Sequence, residues 1–157
     1  MTIDVAREIA DSWSYPAPYD FYDMTADPED YDEFVTPQLW PEVFLQVRRG
    51  EELFGFLSGN PSAAAGGVEI ALGMCPDLTG KGLGRAFMEA NVEWLLQNCP
   101  GQRIHLNVAA FNVRALRTYE GVGFRRVRTF EQATNGSIFD FVEMEYADRG
   151  PAGSRHL

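Results

Sequence analysis

The sequence predicts an α/β fold, of the mixed α+β kind, in which a mixed sheet is flanked by helices. A length of 157 residues with 45% hydrophobic side chains suits one domain with its own core and is too short for two ordinary domains. Strand-like and helix-like spacings of apolar residues follow each other along the chain. After Pro76 and after Phe111, a predicted strand passes into a predicted helix, which indicates crossover connections. We therefore expect a single domain over residues 1–146 and a flexible tail over residues 147–157.

The first third of the chain predicts two helices and a hairpin. A second short helix, in ADPEDYDEFV, is predicted to begin near Asp27 and Pro28. Residues 42–59 predict two strands joined by a tight turn at Arg49 and Gly50. The first helix is predicted from apolar residues at helical spacing in TIDVAREIADSW: Ile3, Ala6, Ile9, Ala10 and Trp13.

The remainder predicts strand, helix, strand, helix and hairpin. GGVEIALGMCP is a strand that ends at Pro76, and RIHLNVAAF is a strand with Ile104, Leu106, Val108 and Ala110 on one face. NVRALRTYEGVGF is a short helix with Asn112 as its cap and Gly121 and Gly123 to stop it. FRRVRTF and SIFDFVEMEY are strands around the turn TNG. The helix before Pro100 is predicted from an apolar stripe: Leu83, Ala86, Phe87, Ala90, Trp94 and Leu95.

Composition excludes several classes of partner. A net charge of −10 argues against nucleic acid, because phosphate backbones require a basic surface. The chain has no run of about 18 apolar residues, so we expect no membrane partner. The N-terminus is acidic and amphipathic, unlike a signal peptide, so we expect a cytoplasmic protein. Cys75 and Cys99 are expected to be free thiols, and no metal site is expected, because no C-x-x-C pair or Cys/His cluster occurs.

Charge is unevenly distributed along the chain. Residues 1–47 hold eleven Asp or Glu and one basic residue, Arg7, whereas residues 81–128 hold eight Lys or Arg and three Glu. This asymmetry indicates either partners of opposite sign or a solvated acidic surface.

The stretch DLTGKGLGRAF, residues 77–87, is the first candidate site. It contains Gly80, Gly82 and Gly84, and Lys81 is the only lysine of the chain. A glycine-rich turn between a strand and a helix lets backbone N–H groups converge on an anion, although it can also be a simple turn. The spacing fits neither a P-loop, since Gly82 follows the lysine, nor a dinucleotide fingerprint, which would need glycine at Phe87.

The loop TGKGLG resembles the acyl-CoA loop of the GNAT superfamily of N-acetyltransferases, written [Q/R]-x-x-G-x-[G/A]. It matches at Gly82 and Gly84 and departs at Thr79, where the family prefers Gln or Arg. The second part of the resemblance is NVAAFNVRALRTYEGVGF, which is similar to the family's next strand and helix. Its matching positions are Asn107, Asn112, Ala115, Tyr119, Gly123 and Phe124. The resemblance covers residues 66–130.

The resemblance implies a mostly antiparallel mixed sheet with a splay between two central strands, and a first family strand that is short or missing here. Acetyl-CoA, the implied co-substrate, would lie in the splay. Arg114 or Arg117 would approach its adenosine phosphates. Leu72 and Met74 would bind the pantetheine through their main chains, and Asn112 through its side chain. The pyrophosphate would lie on the N–H groups of Thr79, Gly80, Lys81, Gly82, Leu83 and Gly84, with the side chains of Lys81 and Arg85 as nearby charges. Asn107 and Ala115 are further implied cofactor-binding residues.

The resemblance also implies the catalytic groups. Tyr119 would be the general acid beside the departing sulfur, the alternative being a core tyrosine. Glu69 is a candidate base if its strand turns it into the cleft, and otherwise an outward or structural residue. Cys75 is expected to be a packing residue, and His105 an edge or core histidine.

The first third would bind the acceptor. Aromatic residues alternate with carboxylates there, and together they suit a cation such as a small amine or a peptide N-terminus. Packed aromatics under a solvated acidic surface remain the alternative. The expected acceptor residues are Tyr15, Tyr19, Tyr22 and Tyr31, near Trp13, Phe21, Asp20, Asp23, Asp30, Asp32 and Glu33. Three functions are left open: an N-acetyltransferase that works by direct transfer, a catalytically weak or inactive acyl-CoA-binding sensor or interaction module, and a soluble α/β domain whose glycine loop is only a turn. Monomer and homodimer both stay open.

Overall fold

The computed structural model describes residues 1–62 and 66–147 of the chain. The expected flexible tail therefore lies outside the described residues, apart from Ala147. The helices are α1 (Ile3–Ser12), α2 (Pro28–Phe34), α3 (Gly84–Asn98) and α4 (Val113–Val122). The strands are β1 (Val43–Arg49), β2 (Glu52–Ser62), β3 (Gly67–Met74), β4 (Arg103–Ala109), β5 (Phe124–Thr134) and β6 (Ser137–Tyr146).

Local sequence signals explain where the helices begin and end. Asp27 caps α2 by accepting a hydrogen bond from the Glu29 N–H, with Pro28 at the first helical position. Asn112 caps α4 through its side-chain oxygen, which accepts from the Ala115 N–H at 3.1 Å. Gly123 ends α4 with a φ of 131°, a conformation that favours glycine. The predicted order of elements thus agrees with the structure.

The six strands form one sheet in the order β1-β2-β3-β4-β6-β5. All neighbouring pairs are antiparallel except β3 and β4, which run parallel and pair at only three positions. The last of these pairs joins Glu69 to His105, and beyond it the two strands separate. The mixed α/β fold class and the splay between two central strands are therefore confirmed. In the described part of the chain, the first element is α1, and no strand precedes it.

Helices cover both faces of the sheet. On one face, α3 and α4 enclose the larger core, whose most buried members include Leu57, Met88 and Leu95. On the other face, α1 and α2 pack over Phe44 and Phe56. These layers leave the divergence of β3 and β4 open between the two helical groups.

Two sequence predictions differ from the structure in detail. In α3, Ala86 and Ala90 are exposed, whereas Met88, Asn91 and Val92 are buried. The face of α3 that packs on the sheet therefore differs from the predicted one, which included Ala86 and Ala90. Asn91 can be buried because its side-chain amide donates to the Phe87 carbonyl at 2.9 Å. The strand before the glycine loop ends at Met74, because residues 76–78 form a 3-10 turn.

Candidate active site

A cavity of about 750 Å³ opens where β3 and β4 separate. One side, which we call the glycine-loop wall, consists of the end of β3, the loop 79–83 and the first turns of α3 and α4. The opposite side, which we call the acidic wall, consists of residues 13–41 and the tip of the β5–β6 hairpin. The cavity is lined by most of the expected site residues: Leu72, Met74, Thr79, Gly80, Gly82, Gly84, Asn107, Asn112, Ala115, Tyr119, Tyr15, Tyr19 and Tyr22. Five expected residues do not line it: Glu69, Lys81, Leu83, Arg85 and Tyr31.

The glycine loop has the geometry of an anion cradle. Gly80 and Gly82 have φ angles of 71° and 75°, which side chains other than glycine rarely adopt. A Cβ added at either position would meet no atom within 4 Å, so the loop faces open space. Leu83 is the N-cap of α3, and no described side chain caps the helix there. The first N–H groups of α3 are thus available to an anion.

The side chains of this loop are directed elsewhere. The Thr79 hydroxyl donates to the Pro76 carbonyl at 2.7 Å and stabilises its own turn. Arg85 forms an ion pair with Glu89 at 2.9 Å on the surface of α3. Lys81 is exposed at the loop tip. Any ligand in the loop would therefore meet main-chain groups first, with Lys81 as a peripheral charge.

Tyr15 connects the two walls. Its hydroxyl donates to the carbonyl of Met74 at 2.7 Å, and its main-chain N–H donates to Asp23 Oδ1 at 2.9 Å. Burial raises the pKa of the Tyr15 phenol well above its usual range, so it remains a donor. A residue expected to bind the acceptor thus holds the end of the strand expected to bind the cofactor.

Tyr119 presents a protonated phenol to the cavity from α4. Burial, followed by the nearby Tyr22, raises the pKa of Tyr119 well above the ordinary tyrosine value. Its ring also packs near Phe124, with ring centroids 6.0 Å apart. The group can therefore line a reaction site and contribute to the core at once.

The first turn of α4 contacts the acidic wall. Asn112 Nδ2 donates to the Tyr22 hydroxyl at 3.2 Å, while the Asn112 oxygen caps the helix. The Arg114 guanidinium lies 4.2 Å from the centroid of the Tyr19 ring, a cation–π contact. Burial raises the pKa of Tyr22, while hydrogen bonds from Asn112 and the Ala109 main chain partly oppose that rise. Two expected acceptor tyrosines are thus positioned by α4.

Glu69 lies beside the cavity without lining it. Asn107 Nδ2 donates to Glu69 Oε1 at 2.8 Å, across the point where β3 and β4 begin to diverge. Both side chains are exposed. The carboxylate is therefore hydrogen-bonded to a residue that does line the cavity.

Carboxylates and aromatic rings form the acidic wall, as the sequence suggested in outline. Asp23, Asp30 and Glu33 line the cavity, whereas Asp20 and Asp32 do not. Partial desolvation raises the pKa of Asp30, an exposed residue of α2, and the neighbouring carboxylates Asp27, Glu33 and Glu29 raise it further. A cation would relieve this repulsion.

Tyr31 does not reach the cavity. Its hydroxyl donates to Asp11 Oδ1, which ties α2 to α1. In a helix of seven residues, Tyr31 lies on the side that faces α1, whereas Asp30 and Glu33 lie on the side that faces the cavity.

Sequence reasoning missed the hairpin tip of the acidic wall, where Gln132, Thr134 and Asn135 line the cavity. Asp27 accepts hydrogen bonds from the Asn135 N–H at 3.3 Å and from the Thr134 hydroxyl at 3.5 Å. Asn135 Nδ2 donates to the Phe21 carbonyl at 2.8 Å. The turn itself was predicted. Its contact with Asp27 joins segments more than 100 residues apart, and no local sequence signal indicates such a contact.

Within the described ranges, no group of three His, Cys, Asp or Glu side chains has the geometry to hold a metal ion. Cys75 and Cys99 are free thiols. None of the described helices is both long enough and apolar enough to cross a bilayer.

Comparison with known proteins places this arrangement in a family. A spermidine N-acetyltransferase from Vibrio cholerae, solved in complex with CoA and spermine, is 22% identical, with a TM-score of 0.55 over 62% of this chain and 59% of its own. An acetyltransferase of the GNAT family from Bacillus anthracis is 17% identical, with a TM-score of 0.54 over 64% and 62% of the two chains. The match to each thus spans about 60% of that protein's length and shows a common fold.

No protein of curated function matches the chain significantly. The family model described as acetyltransferase (GNAT) family, however, matches residues 6–124, which include β1 to β4, the glycine loop and α4. The splayed sheet and the uncapped start of α3 lie within the residues that the family model matches. The chain belongs to the GNAT acetyltransferase family.

Proposed function

We propose that this chain transfers the acetyl group of acetyl-CoA to a primary amine, by direct attack in a ternary complex. The observation that supports this most is the shared cavity: the open glycine cradle and the protonated Tyr119 phenol both face the divergence of β3 and β4. The cradle fits a pyrophosphate, because N–H groups at a helix start bind anions. The free edges of the separated strands fit an amide-bearing arm.

The residues divide the chemistry between them. Acetyl-CoA supplies the activated acyl group, a thioester. A lysine-like amine with a pKa near 10.4 is mostly protonated at pH 7, and freeing it costs roughly 4 to 5 kcal/mol. Glu69, which lies beside the cavity, is the base that removes this proton through an intervening water. Tyr119 donates a proton to the departing sulfur, and its raised pKa keeps the phenol protonated at neutral pH.

The acceptor is a cationic amine, either a small molecule or a peptide N-terminus. The support is the acidic wall, where Asp23, Asp30 and Glu33 face the cavity together with Tyr19 and Tyr22. Carboxylates attract an ammonium group, and aromatic faces add cation–π attraction. A small cation is also consistent with the spermine-bound structure of similar fold.

Calorimetry with acetyl-CoA tests the proposal directly. The native protein should bind it, and Gly82→Pro should not, because proline fixes φ near −65° whereas Gly82 has a φ of 75°. Thermal denaturation of both proteins checks that the variant is folded. An absence of binding by the native protein would refute the proposal.

A second candidate is a CoA-binding sensor of the same fold that does not turn over. It is favoured by the position of Glu69, which does not line the cavity, and by the Thr79 hydroxyl, which is bonded within its own loop. Release of CoA thiol from acetyl-CoA should be measured with spermidine, simple diamines and short peptides. Release above the blank supports the enzyme, whereas binding without release supports the sensor.

We further propose that residues 1–146 act as one catalytic domain in the cytosol. One sheet takes its strands from Val43 to Tyr146, and the cavity takes residues from both the first and the last third of the range. Whether it acts as a monomer or a homodimer can be read from light scattering.

A further inference from the structure

The most unusual polar group outside the proposed chemistry is the imidazole of His105, in the middle of β4. The residue is 8% exposed. Both ring nitrogens are shielded from solvent, and neither has a hydrogen-bond partner among the described residues. A buried polar group without a partner is costly and calls for an explanation.

His105 lies in a row of charged residues that crosses the sheet. Its partner on β3 is Glu69, and its partner on β6 is Glu145. Residues directly opposite each other on neighbouring strands point to the same face, so the imidazole lies between two carboxylate-bearing side chains. Ile104 and Leu106 point into the core under α3 and α4, which places His105 on the other face of the sheet, together with Asn107.

Each of these carboxylates is held by a different residue of β4. Asn107, two positions after His105, donates to Glu69 at 2.8 Å. Arg103, two positions before it, forms an ion pair with Glu145 at 3.6 Å. The charged groups on this face are Glu69 from β3, Glu145 from β6, Arg103 from β4 itself and Arg125 of β5 opposite Glu145. One step further along, Glu143 of β6 lies opposite Asn107 and forms an ion pair with Arg128 at 3.2 Å.

We propose that His105 is a positioning residue that controls Glu69 by protonation. A neutral imidazole leaves Glu69 with Asn107. An imidazolium has two N–H donors, and the nearest carboxylates are those on either side of it. On taking a proton, His105 draws the Glu69 carboxylate away from Asn107 and releases the Asn107 amide toward the cavity that it lines.

This inference rests on the proposed role of Glu69 as base. A carboxylate bound to an imidazolium is a weaker base, because the adjacent positive charge stabilises its ionised form. Histidine is the side chain whose ordinary titration lies nearest neutral pH. The charge of His105 therefore changes how readily Glu69 accepts the proton of the amine.

The direct test is a pH titration followed by NMR. The chain has two histidines, so His156→Gln assigns the His105 ring signals unambiguously. The side-chain amide signals of Asn107 should move with the same midpoint as the His105 ring. The amide of Asn98, which donates to the Trp94 carbonyl at 2.8 Å on the surface of α3, is the control and should not move.

Substitution of the neighbouring carboxylate sharpens the test. Glu69→Gln should lower the His105 midpoint by about 0.5 pH unit or more, since a negative charge favours the imidazolium. The side chain of Glu69 is exposed, so this change leaves the core intact. A His105 ring that does not titrate between about pH 5 and 8.5 would overturn the proposal. The proposal would also be overturned if the Asn107 amide signals did not shift with the His105 ring, or if Glu69→Gln left the His105 midpoint unchanged.

Activity provides a second readout. In His105→Gln, the acid limb of kcat/KM should move, whereas a purely structural histidine would lower the rate equally at all pH values. Because the NMR titration needs no turnover, the two proposals fail separately. If the His105 and Asn107 signals share a midpoint but no thiol is released, the proposed acetyltransferase activity is refuted and the control of Glu69 by His105 stands. If thiol is released but the two midpoints differ, the activity stands and the control by His105 is refuted.

Discussion

The two walls of the cavity differ in the kind of group that each offers to a ligand. The glycine-loop wall offers mainly main-chain groups, namely the N–H groups of the loop 79–83 and of the first turn of α3. The acidic wall offers side chains, above all Asp23, Asp30 and Glu33. Main-chain groups are fixed by the fold itself, whereas side-chain groups depend on the residue at each position. The glycine-loop wall therefore suits a constant ligand, and the acidic wall suits a ligand that a few substitutions can change.

Tyr119→Phe is expected to have the largest effect, because it removes the phenol that α4 presents to the cavity and that we propose as the general acid. The value of kcat should fall on the order of 100-fold or more, and the affinity for acetyl-CoA should stay the same. Tyr146→Phe is the matched control: its ring also packs on Phe124, at 5.5 Å between centroids, and it does not line the cavity. Steady-state kinetics and calorimetry test both variants. Equal losses in both would show that Tyr119 acts through core packing.

Gly82→Ala, compared with Gly50→Ala, tests whether the loop binds through its main chain. The two glycines have φ angles of 75° and 61°, and a Cβ at either would meet no atom within 4 Å. Both substitutions should therefore cost a similar roughly 1–2 kcal/mol of stability in thermal denaturation. Only Gly82→Ala should weaken acetyl-CoA binding, by about tenfold or 1.4 kcal/mol. Equal affinities for acetyl-CoA would mean that the loop is only a turn.

Asp30→Asn tests the acidic wall and should change only the kinetic constants for the acceptor amine. The KM for cationic amines should rise about threefold to tenfold, as expected for loss of a partly screened charge, with acetyl-CoA affinity unchanged. Asp32→Asn is the control, because Asp32 is exposed on the same helix as Asp30 is, but does not line the cavity.

The same variant has a signed effect on stability. The pKa of Asp30 is raised in the folded protein, so the native state binds its proton more tightly than the unfolded state does. The stability of the folded protein then falls as the pH rises from the pKa of Asp30 in the unfolded chain through its raised pKa in the folded protein. Asp30→Asn should thus raise Tm near pH 7, and the gain should disappear near pH 3. If the Tm of Asp30→Asn at pH 7 were lower than that of the native protein, the repulsion between Asp30 and its neighbouring carboxylates would be contradicted.

Tyr15→Phe tests whether the two walls are independent, and its effects should be the smallest. Loss of the hydroxyl leaves the Met74 carbonyl without this partner and should cost about 1 kcal/mol of stability. Acetyl-CoA affinity and acceptor KM should each change about twofold to threefold, since this hydrogen bond joins the walls. Tyr31→Phe also loses an inter-element hydrogen bond, yet it should leave both binding constants unchanged. A change in only one constant for Tyr15→Phe would show that the walls act separately.

The sequence predicted the glycine-loop wall better than the acidic wall, for a physical reason. Glycines, an Asn cap and regular apolar spacing determine backbone conformation locally, and the loop, the Asn112 cap and the order of elements follow from them. Long side chains are less predictable. The resemblance assigned Arg85 to the pyrophosphate, but the guanidinium lies beside Glu89, one helical turn away.

The acidic wall lies on irregular backbone. Residues 13–27 contain two short 3-10 turns and no sustained periodicity, so nothing local determines where each side chain points. Composition correctly indicated a surface of aromatics and carboxylates. It could not separate Tyr22, which reaches the cavity, from Tyr31, which holds α1 and α2 together.

The hydrogen bonds of Asp27 have a practical meaning for protein engineering. One carboxylate caps α2 and also receives the turn of the β5–β6 hairpin, so two pieces of chain far apart in sequence form a single exchangeable part. A graft of residues 13–40 from a relative with another acceptor needs the matching turn at residues 134–136. The scaffold that carries the glycine loop can be kept whole in such a graft.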